Sequence, residues 1–301
     1  SLHMGDHRKA DNGNLRNNSR VPVMTGPSHV ELAIVIVSFN TSRLTIQCLQ
    51  TLTECLRAMS HQIVLVDNAS SDNTVQNVQL QYPQVKIIQL ERNFGFAVAT
   101  NRGIAATNSN LVLMLNSDTR VSDQNLATLT NVLTRTPGVA AVGPRLIDST
   151  GNIELSFGNM LSPLNELRQK LIGTALAMEI EPVKEWLRHH SNISHYPDWV
   201  SGACLLVKRS CGDEVGWLDE RFFLYGEDVD FCASLRTAGY RILFSPEAQV
   251  THLRGQSGNN APVRTNHLYR QSQLLFYKKH YPRYFAALRY YLRLRGQLPT
   301  N

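Results

Sequence analysis

The sequence predicts an α/β protein with a mostly parallel sheet flanked by helices and a helical C-terminal extension. Three observations carry this expectation. Short β-branched runs alternate with stretches of helical period from about residue 31 to residue 139. The first run, Leu32–Val37, is continuously apolar, as in a strand buried on both faces. Three of the first four runs end in small polar clusters, Ser38/Asn40, Asp67/Asn68 and Asn116/Asp118. In open α/β sheets ligands bind beyond the carboxyl ends of the strands, so these clusters mark the candidate site.

The elements follow in order. Residues 1–28 are polar, without periodicity, and are expected to be disordered. Leu32–Val37 is the first strand, and Thr41 or Ser42 is expected to cap a helix carrying Leu44, Cys48, Leu52, Cys55 and Met59 on one face. Ile63–Val66 is a second strand, followed by a helix capped at Asp72-Asn73 and running to about Leu80. Val85–Leu90 is a third strand and Phe96–Ala106 a helix. Leu111–Leu115 is a fourth strand, with another helix starting at Ser122-Asp123. Beyond Val139 the rhythm breaks. Residues 144–157 read as a hairpin around Ser149-Thr150-Gly151, and 160–196 as irregular with a short helix or two. Trp199–Val207 reads as one strand, Glu227–Ala238 as a helix, Ala248–Thr251 as a strand, and 262–296 as two helices broken near Pro282.

Composition narrows the class. A chain of 301 residues holds one large α/β domain or two small ones. The net charge is +6, and it is unevenly placed: no Asp or Glu follows Glu247, whereas nine Lys or Arg do. Such a tail suits an anionic partner. The five cysteines include no C-x-x-C pair and read as buried thiols of a reducing compartment. No signal peptide is seen, and no apolar run approaches the ~18 residues of a membrane span. A cytoplasmic protein is expected, with any membrane contact peripheral.

The residues able to do chemistry sit at these strand ends and at one helix start. Asp118, directly after an apolar strand, can bind Mg²⁺ or Mn²⁺ while substrate phosphates complete the shell. An Asx-turn is the alternative. Glu227, Asp228 and Asp230 place three carboxylates at one helix N-terminus. They can cap the helix dipole, or, crowded beside a cleft, act as a general base. His252 alone would be structural as readily as a ligand, and the Gly255–Gly258 loop beside it is a weak phosphate-binding signal.

Seven segments in order give a more specific pattern: IVIVSFN at Ile34–Asn40, IVLVDNASSDNT at Ile63–Thr74, ERNFGFA at Glu91–Ala97, LVLMLNSD at Leu111–Asp118, WVSGACLLV at Trp199–Val207, LDERFFLYGEDVD at Leu218–Asp230 and THLRGQS at Thr251–Ser257. In these segments the chain resembles the family 2 glycosyltransferases of GT-A fold, and most of all their bacterial rhamnosyltransferase branch. The resemblance implies a catalytic domain over 29–260, with a nucleotide-sugar-binding half (29–143) and an acceptor half (144–260), and a basic, aromatic helical extension over 261–301. It implies that Ser38, Phe39 and Asn40 line the nucleoside pocket and that Asp67 binds base or ribose. Asn93 and Gly95 would shape the ribose–diphosphate wall with Asn101 behind them. Asn116, Ser117 and Asp118 stand where the family carries its Asp-x-Asp metal motif. Asp228 matches the catalytic base, Glu227 would help place the acceptor, and Trp199, Gly202 and Ala203 would floor the acceptor site. His252 matches a residue that completes metal or diphosphate binding. The first acid of the metal motif is Asn116 here, which leaves Asp118 as the carboxylate ligand.

The implied activity is inverting transfer of a sugar from a dTDP- or UDP-linked donor to a glycan or lipid-linked acceptor in cell-envelope polysaccharide synthesis. dTDP-rhamnose is the expected donor, and a UDP-hexose or UDP-HexNAc the alternative. The competing class is a non-catalytic nucleotide-sugar-binding module, hinted at by Asn116 and opposed by the intact Glu227-Asp228 pair. A Rossmann dehydrogenase is excluded, because Ser-Phe-Asn-Thr follows the first strand where G-x-G-x-x-G would be needed. The aromatic and basic residues over 264–296 fit an anionic bilayer or a packed hairpin with a solvated face, and no nucleic-acid partner is expected.

Overall fold

The computed structural model describes residues 30–56, 59–253 and 262–299. The N-terminal segment 1–28 and the Gly255–Gly258 loop lie outside the described residues. The first elements are β1 (Val30–Ser38), α1 (Ser42–Cys55), β2 (His61–Asp67), α2 (Thr74–Gln81), β3 (Lys86–Gln89), α3 (Phe96–Ala105), β4 (Ser109–Asn116), β5 (Thr119–Arg120) and α4 (Asp123–Arg135). Then come β6 (Val139–Ile147), β7 (Phe157–Gly158), α5 (Pro163–Ala177), α6 (Glu181–His190), β8 (Trp199–Val200), β9 (Cys204–Lys208), α7 (Arg209–Val215), α8 (Glu227–Thr237), β10 (Arg241–His252), α9 (Pro262–His280) and α10 (Pro282–Leu294).

The main sheet has the order β3-β2-β1-β4-β9-β6-β10-β5. The pairs β1–β2, β1–β4, β2–β3 and β6–β10 are parallel, whereas β9 runs antiparallel to both β4 and β6. The sheet is thus mostly parallel, with β9 reversed at its centre and the two-residue β5 reversed at its edge beside β10. Alternation along β1 splits its side chains between two cores. Leu32, Ile34 and Ile36 pack beneath one face with Leu49, Leu52 and Leu129, and Val35 packs on the other with Ala97, Phe231 and Leu235. Burying both faces is why the strands read as continuous apolar runs.

Several expectations are corrected. The first arm of the hairpin expected over 144–157 is longer than expected, a sheet strand over 139–147; the hairpin turn at Asp148–Asn152 stands where it was expected, closed by the Ile147–Ile153 bridge, with Asp148 accepting from the N–H groups of Thr150 and Asn152. The stretch 160–196 holds two regular helices, α5 and α6. Trp199–Val207 is two strands, broken between Val200 and Cys204. Helix α1 ends at Cys55, before Met59. Thr41 is its N-cap by position, but its hydroxyl joins Ser38 and Ser117 at 2.9 and 3.1 Å. Asp72 takes the Ser42 N–H instead, at 3.0 Å. Of the thiols, Cys48, Cys204, Cys211 and Cys232 are buried, and burial pushes those of Cys48 and Cys232 up to about 12, so they are inert packing groups.

The C-terminal extension packs on α8 and the loop before it. Phe276 and Tyr277 of α9 are buried against Phe222, Val229 and Ala233. Asp230, also buried, pairs with Lys279 at 2.8 Å and His280 at 2.7 Å. One of the three carboxylates at the start of α8 is therefore a structural anchor. Helix α10 is mostly exposed, with Leu292 buried. Among the described residues no helix is long and apolar enough to cross a membrane.

Candidate functional site

Strand register lines up the predicted residues. Ser38 of β1 stands opposite Asp67 of β2, and Val37 opposite Asn116 of β4, so the polar strand ends share one edge of the sheet. Asp67 is buried; its Oδ2 accepts from the Ser70 N–H at 3.1 Å and its Oδ1 has no partner. A buried acceptor without a donor is costly unless a ligand supplies one. Phe39 is exposed beside it, and Asn40, at φ 54°, holds the 70–71 turn through its N–H to Ser70 and its Oδ1 from the Ser71 N–H.

The next wall is built by Asn68, a strand-end residue to which the sequence pattern assigns no role. Its Nδ2 donates to Asn93 Oδ1 and to the Gly95 carbonyl, and its Oδ1 accepts from the Phe94 N–H. Gly95 has φ +91°, and a Cβ there would lie 2.5 Å from the Phe223 carbonyl oxygen, which already accepts from the Phe96 N–H. Gly95→Ala is expected to destabilise the fold by about 2 kcal/mol or more, through backbone strain and the clash. The shift of the urea midpoint measures it. Asn101 fastens the 218–220 loop: its Nδ2 donates to the Leu218 carbonyl and to Glu220, and its Oδ1 accepts from the Leu218 N–H.

Two branches leave Asn116-Ser117-Asp118. In the first, the Asn116 N–H donates to the Ala203 carbonyl at 2.9 Å, and the Gly202 N–H donates to Asp228 Oδ2 at 2.8 Å. A Cβ on Gly202 would lie 3.0 Å from that of Asp228, so a glycine at this position is what lets the carboxylate sit on the backbone. The end of β4, Gly202-Ala203 and Asp228 are thereby in one connected structure. Trp199 flanks it, its Nε1–H on the Asn159 carbonyl. In the second branch, His252 at the end of β10 is buried between Asp118 Oδ1, 3.3 Å from Nε2, and Glu154 Oε2, 3.1 Å from Nδ1. Burial alone would lower the imidazole pKa; the two carboxylates outweigh it and raise it to about 9. Glu154 had no sequence signal, being 98 residues away.

Glu227 is buried with Oε2 unpartnered. Burial, and then the Asp228 charge, push its carboxyl up to about 8. The folded state therefore holds a proton that the unfolded chain releases near pH 4.5, so this group's contribution to stability falls as pH rises between about 4.5 and 8. Glu227→Gln is expected to melt higher than the wild type at pH 8, with the gap closing toward pH 4; equal melting across that range would contradict it.

Among the described residues no group of three or more His, Cys, Asp or Glu is arranged to hold a metal ion. The fit is to two protein ligands. Adjacent ligands of an octahedral ion at about 2.1 Å lie roughly 3 Å apart, close to the 3.3 Å between Asp118 and His252, and an ion there would take the place of the proton that the two carboxylates hold on His252. Glu154 on the far ring nitrogen is the usual support for a ligating histidine.

A family profile described as glycosyltransferase like family 2 matches residues 27–271. N-acetylglucosaminyl-diphospho-decaprenol L-rhamnosyltransferase of Mycobacterium tuberculosis is 29% identical over 248 residues, covering 77% of this chain and 79% of the relative. The mannosyltransferase PcManGT of Pyrobaculum calidifontis, solved with GDP-Man and Mn²⁺, superposes with a TM-score of 0.56 at 16% identity, over 89% of this chain and 72% of that one. GalNAc-T7, solved with UDP, GalNAc and Mn²⁺, gives 0.59 at 18% identity, over 86% and 50%. The fold shared with these neighbours is GT-A.

Proposed function

The chain belongs to glycosyltransferase-like family 2, and from that premise we propose that it transfers L-rhamnose from dTDP-rhamnose to a glycan or lipid-linked acceptor by a single inverting displacement. The observation that supports this most is the hydrogen-bonded path from Asn116 through Ala203 and Gly202 to Asp228, which joins the donor strand ends to a carboxylate beside the acceptor floor. The nucleoside lies against Ser38, Phe39, Asn40 and Asp67, whose unpartnered Oδ1 accepts from the base or ribose. The diphosphate lies along Asn93, Gly95 and Asn116–Asp118. Asp228 takes the acceptor hydroxyl's proton as that oxygen attacks the anomeric carbon and the nucleoside diphosphate departs from the opposite face. Glu227, held neutral by burial, can donate a hydrogen bond to the acceptor. Alignment of the two substrates supplies much of the rate, on the order of 7–11 kcal/mol at most.

Mg²⁺ or Mn²⁺ would be held by Asp118 and His252, with diphosphate oxygens completing its shell, and would neutralise the charge of the leaving group. The name of the mycobacterial relative supports both the rhamnosyl donor and a prenyl-diphosphate acceptor, and hence a place in bacterial cell-surface polysaccharide synthesis. A lipid-linked acceptor calls for peripheral contact with the cytoplasmic face of the membrane through the extension at 264–296. Exposed Arg283, Arg289, Arg293 and Arg295, interleaved with exposed Tyr284, Tyr290 and Tyr291, suit it. Arg289→Gln with Arg293→Gln is expected to weaken sedimentation with anionic vesicles, and unchanged binding would remove that contact.

A thermal-shift panel of nucleotide sugars with Mn²⁺ tests the donor. A donor at 100 times its Kd stabilises by about 2.7 kcal/mol. The largest shift is expected with dTDP-rhamnose; a larger one with a UDP-hexose or UDP-HexNAc would reassign the donor.

A further inference from the structure

The acceptor half carries a second apolar surface, on helix α5. None of its residues is buried. Leu164, Leu167 and Leu171 are 74%, 55% and 62% exposed, and Met178 at the C-cap is 68% exposed. Their spacing of three, four and seven places them on one side of a helix about 22 Å long. The opposite side is the one that binds the protein: Glu166, the only acid of the helix, accepts from Tyr277 Oη–H at 2.6 Å and from Gln273 Nε2–H at 2.7 Å on α9. The leucine stripe therefore faces solvent by construction. Arg168 and Lys170 are exposed and flank it on either side by helical spacing. Glu179 lies past the helix end, in a left-handed conformation at φ 56°.

We propose that this face of α5 is an interfacial helix that seats the acceptor half on an anionic lipid bilayer, its leucines entering the acyl boundary while Arg168 and Lys170 meet the headgroups. An apolar stripe edged by cations, with the acid turned inward, is the pattern that lies in a bilayer surface. A second copy of the chain fits less well, because stripe-to-stripe packing about a two-fold axis would bring the flanking cations of both copies together with no carboxylate on the stripe to offset them. The partner is the one proposed above for α10, but the surface is separate, so the two contacts fail separately.

The test is co-sedimentation of the full chain with phosphatidylglycerol-containing and pure phosphatidylcholine vesicles, using Leu167→Gln with Leu171→Gln, and Arg168→Gln with Lys170→Gln. Both pairs are exposed helix positions replaced by a helix former, and far-UV circular dichroism confirms retained helicity. The leucine pair is expected to lower partition onto anionic vesicles at least about tenfold, and the cation pair to abolish the preference for anionic over neutral vesicles. Undiminished binding of the leucine variant would overturn the proposal. So would a wild-type dimer in light scattering that the leucine substitutions convert to monomer without lipid.

Discussion

Asp228→Asn binds nucleotide sugar as the wild type does and turns over at least about a hundredfold more slowly. The substitution is nearly isosteric, and an Asn oxygen can still accept the Gly202 N–H that Asp228 Oδ2 now accepts at 2.8 Å. The contact with the Gly202 N–H is therefore kept, and the polar ends of β1, β2 and β4 are untouched. What is lost is a group able to take a proton at the transition state, worth typically about 10²–10⁴-fold. Calorimetric Kd for donor beside steady-state kcat separates the two effects. Near-normal kcat with normal Kd would remove Asp228 as the base. A fall in both would mean that its role is to hold Gly202 in place.

Asp118→Ala abolishes the metal-dependent part of donor binding. With Asn116 in the place of the motif's first acid, Asp118 is the carboxylate that would face the diphosphate in the proposed site, and His252 Nε2 lies 3.3 Å from it. An alanine leaves Glu154 on His252, a contact that supports a ligand but does not replace one. Titration with dTDP-rhamnose in Mn²⁺ and again in chelator measures this. The wild type is expected to bind at least about tenfold tighter with Mn²⁺, and the variant equally in both. A wild type indifferent to chelator would assign the Asp118–His252 pair to structure and leave the transfer metal-independent.

The first four strands and their helices were legible because burial on both faces writes itself as uninterrupted β-branched residues, and the helices keep an apolar period. The start of β6, residues 139–143, escaped because Gly143-Pro144 imitates a turn. In the sheet both have other causes. A Cβ on Gly143 would lie 2.9 Å from Val200 Cβ, and Pro144 sits opposite Ser245, where the ladder with β10 shifts register before Gln249. The site shows the same division. Polar strand ends are visible because they follow apolar runs directly. The three acids of Glu227-Asp228-Val229-Asp230 look alike in sequence, yet the fold puts them to different uses. Glu227 is buried and neutral, Asp228 sits on the Gly202 N–H, and Asp230 is bound to Lys279 and His280. Partners that come from distant segments decide this, and no local pattern records them. Glu154 behind His252 is invisible for the same reason.

The most direct measurement is release of dTDP from dTDP-rhamnose in Mn²⁺, with and without an N-acetylglucosaminyl-diphosphoprenol acceptor, for the wild type and Asp228→Asn. Glycosyl transfer at the site built on Asp118 and Asp228 predicts acceptor-dependent release by the wild type and at least about a hundredfold less by the variant. Binding of the nucleotide sugar without release in either protein would contradict it and identify a binding module on a glycosyltransferase fold.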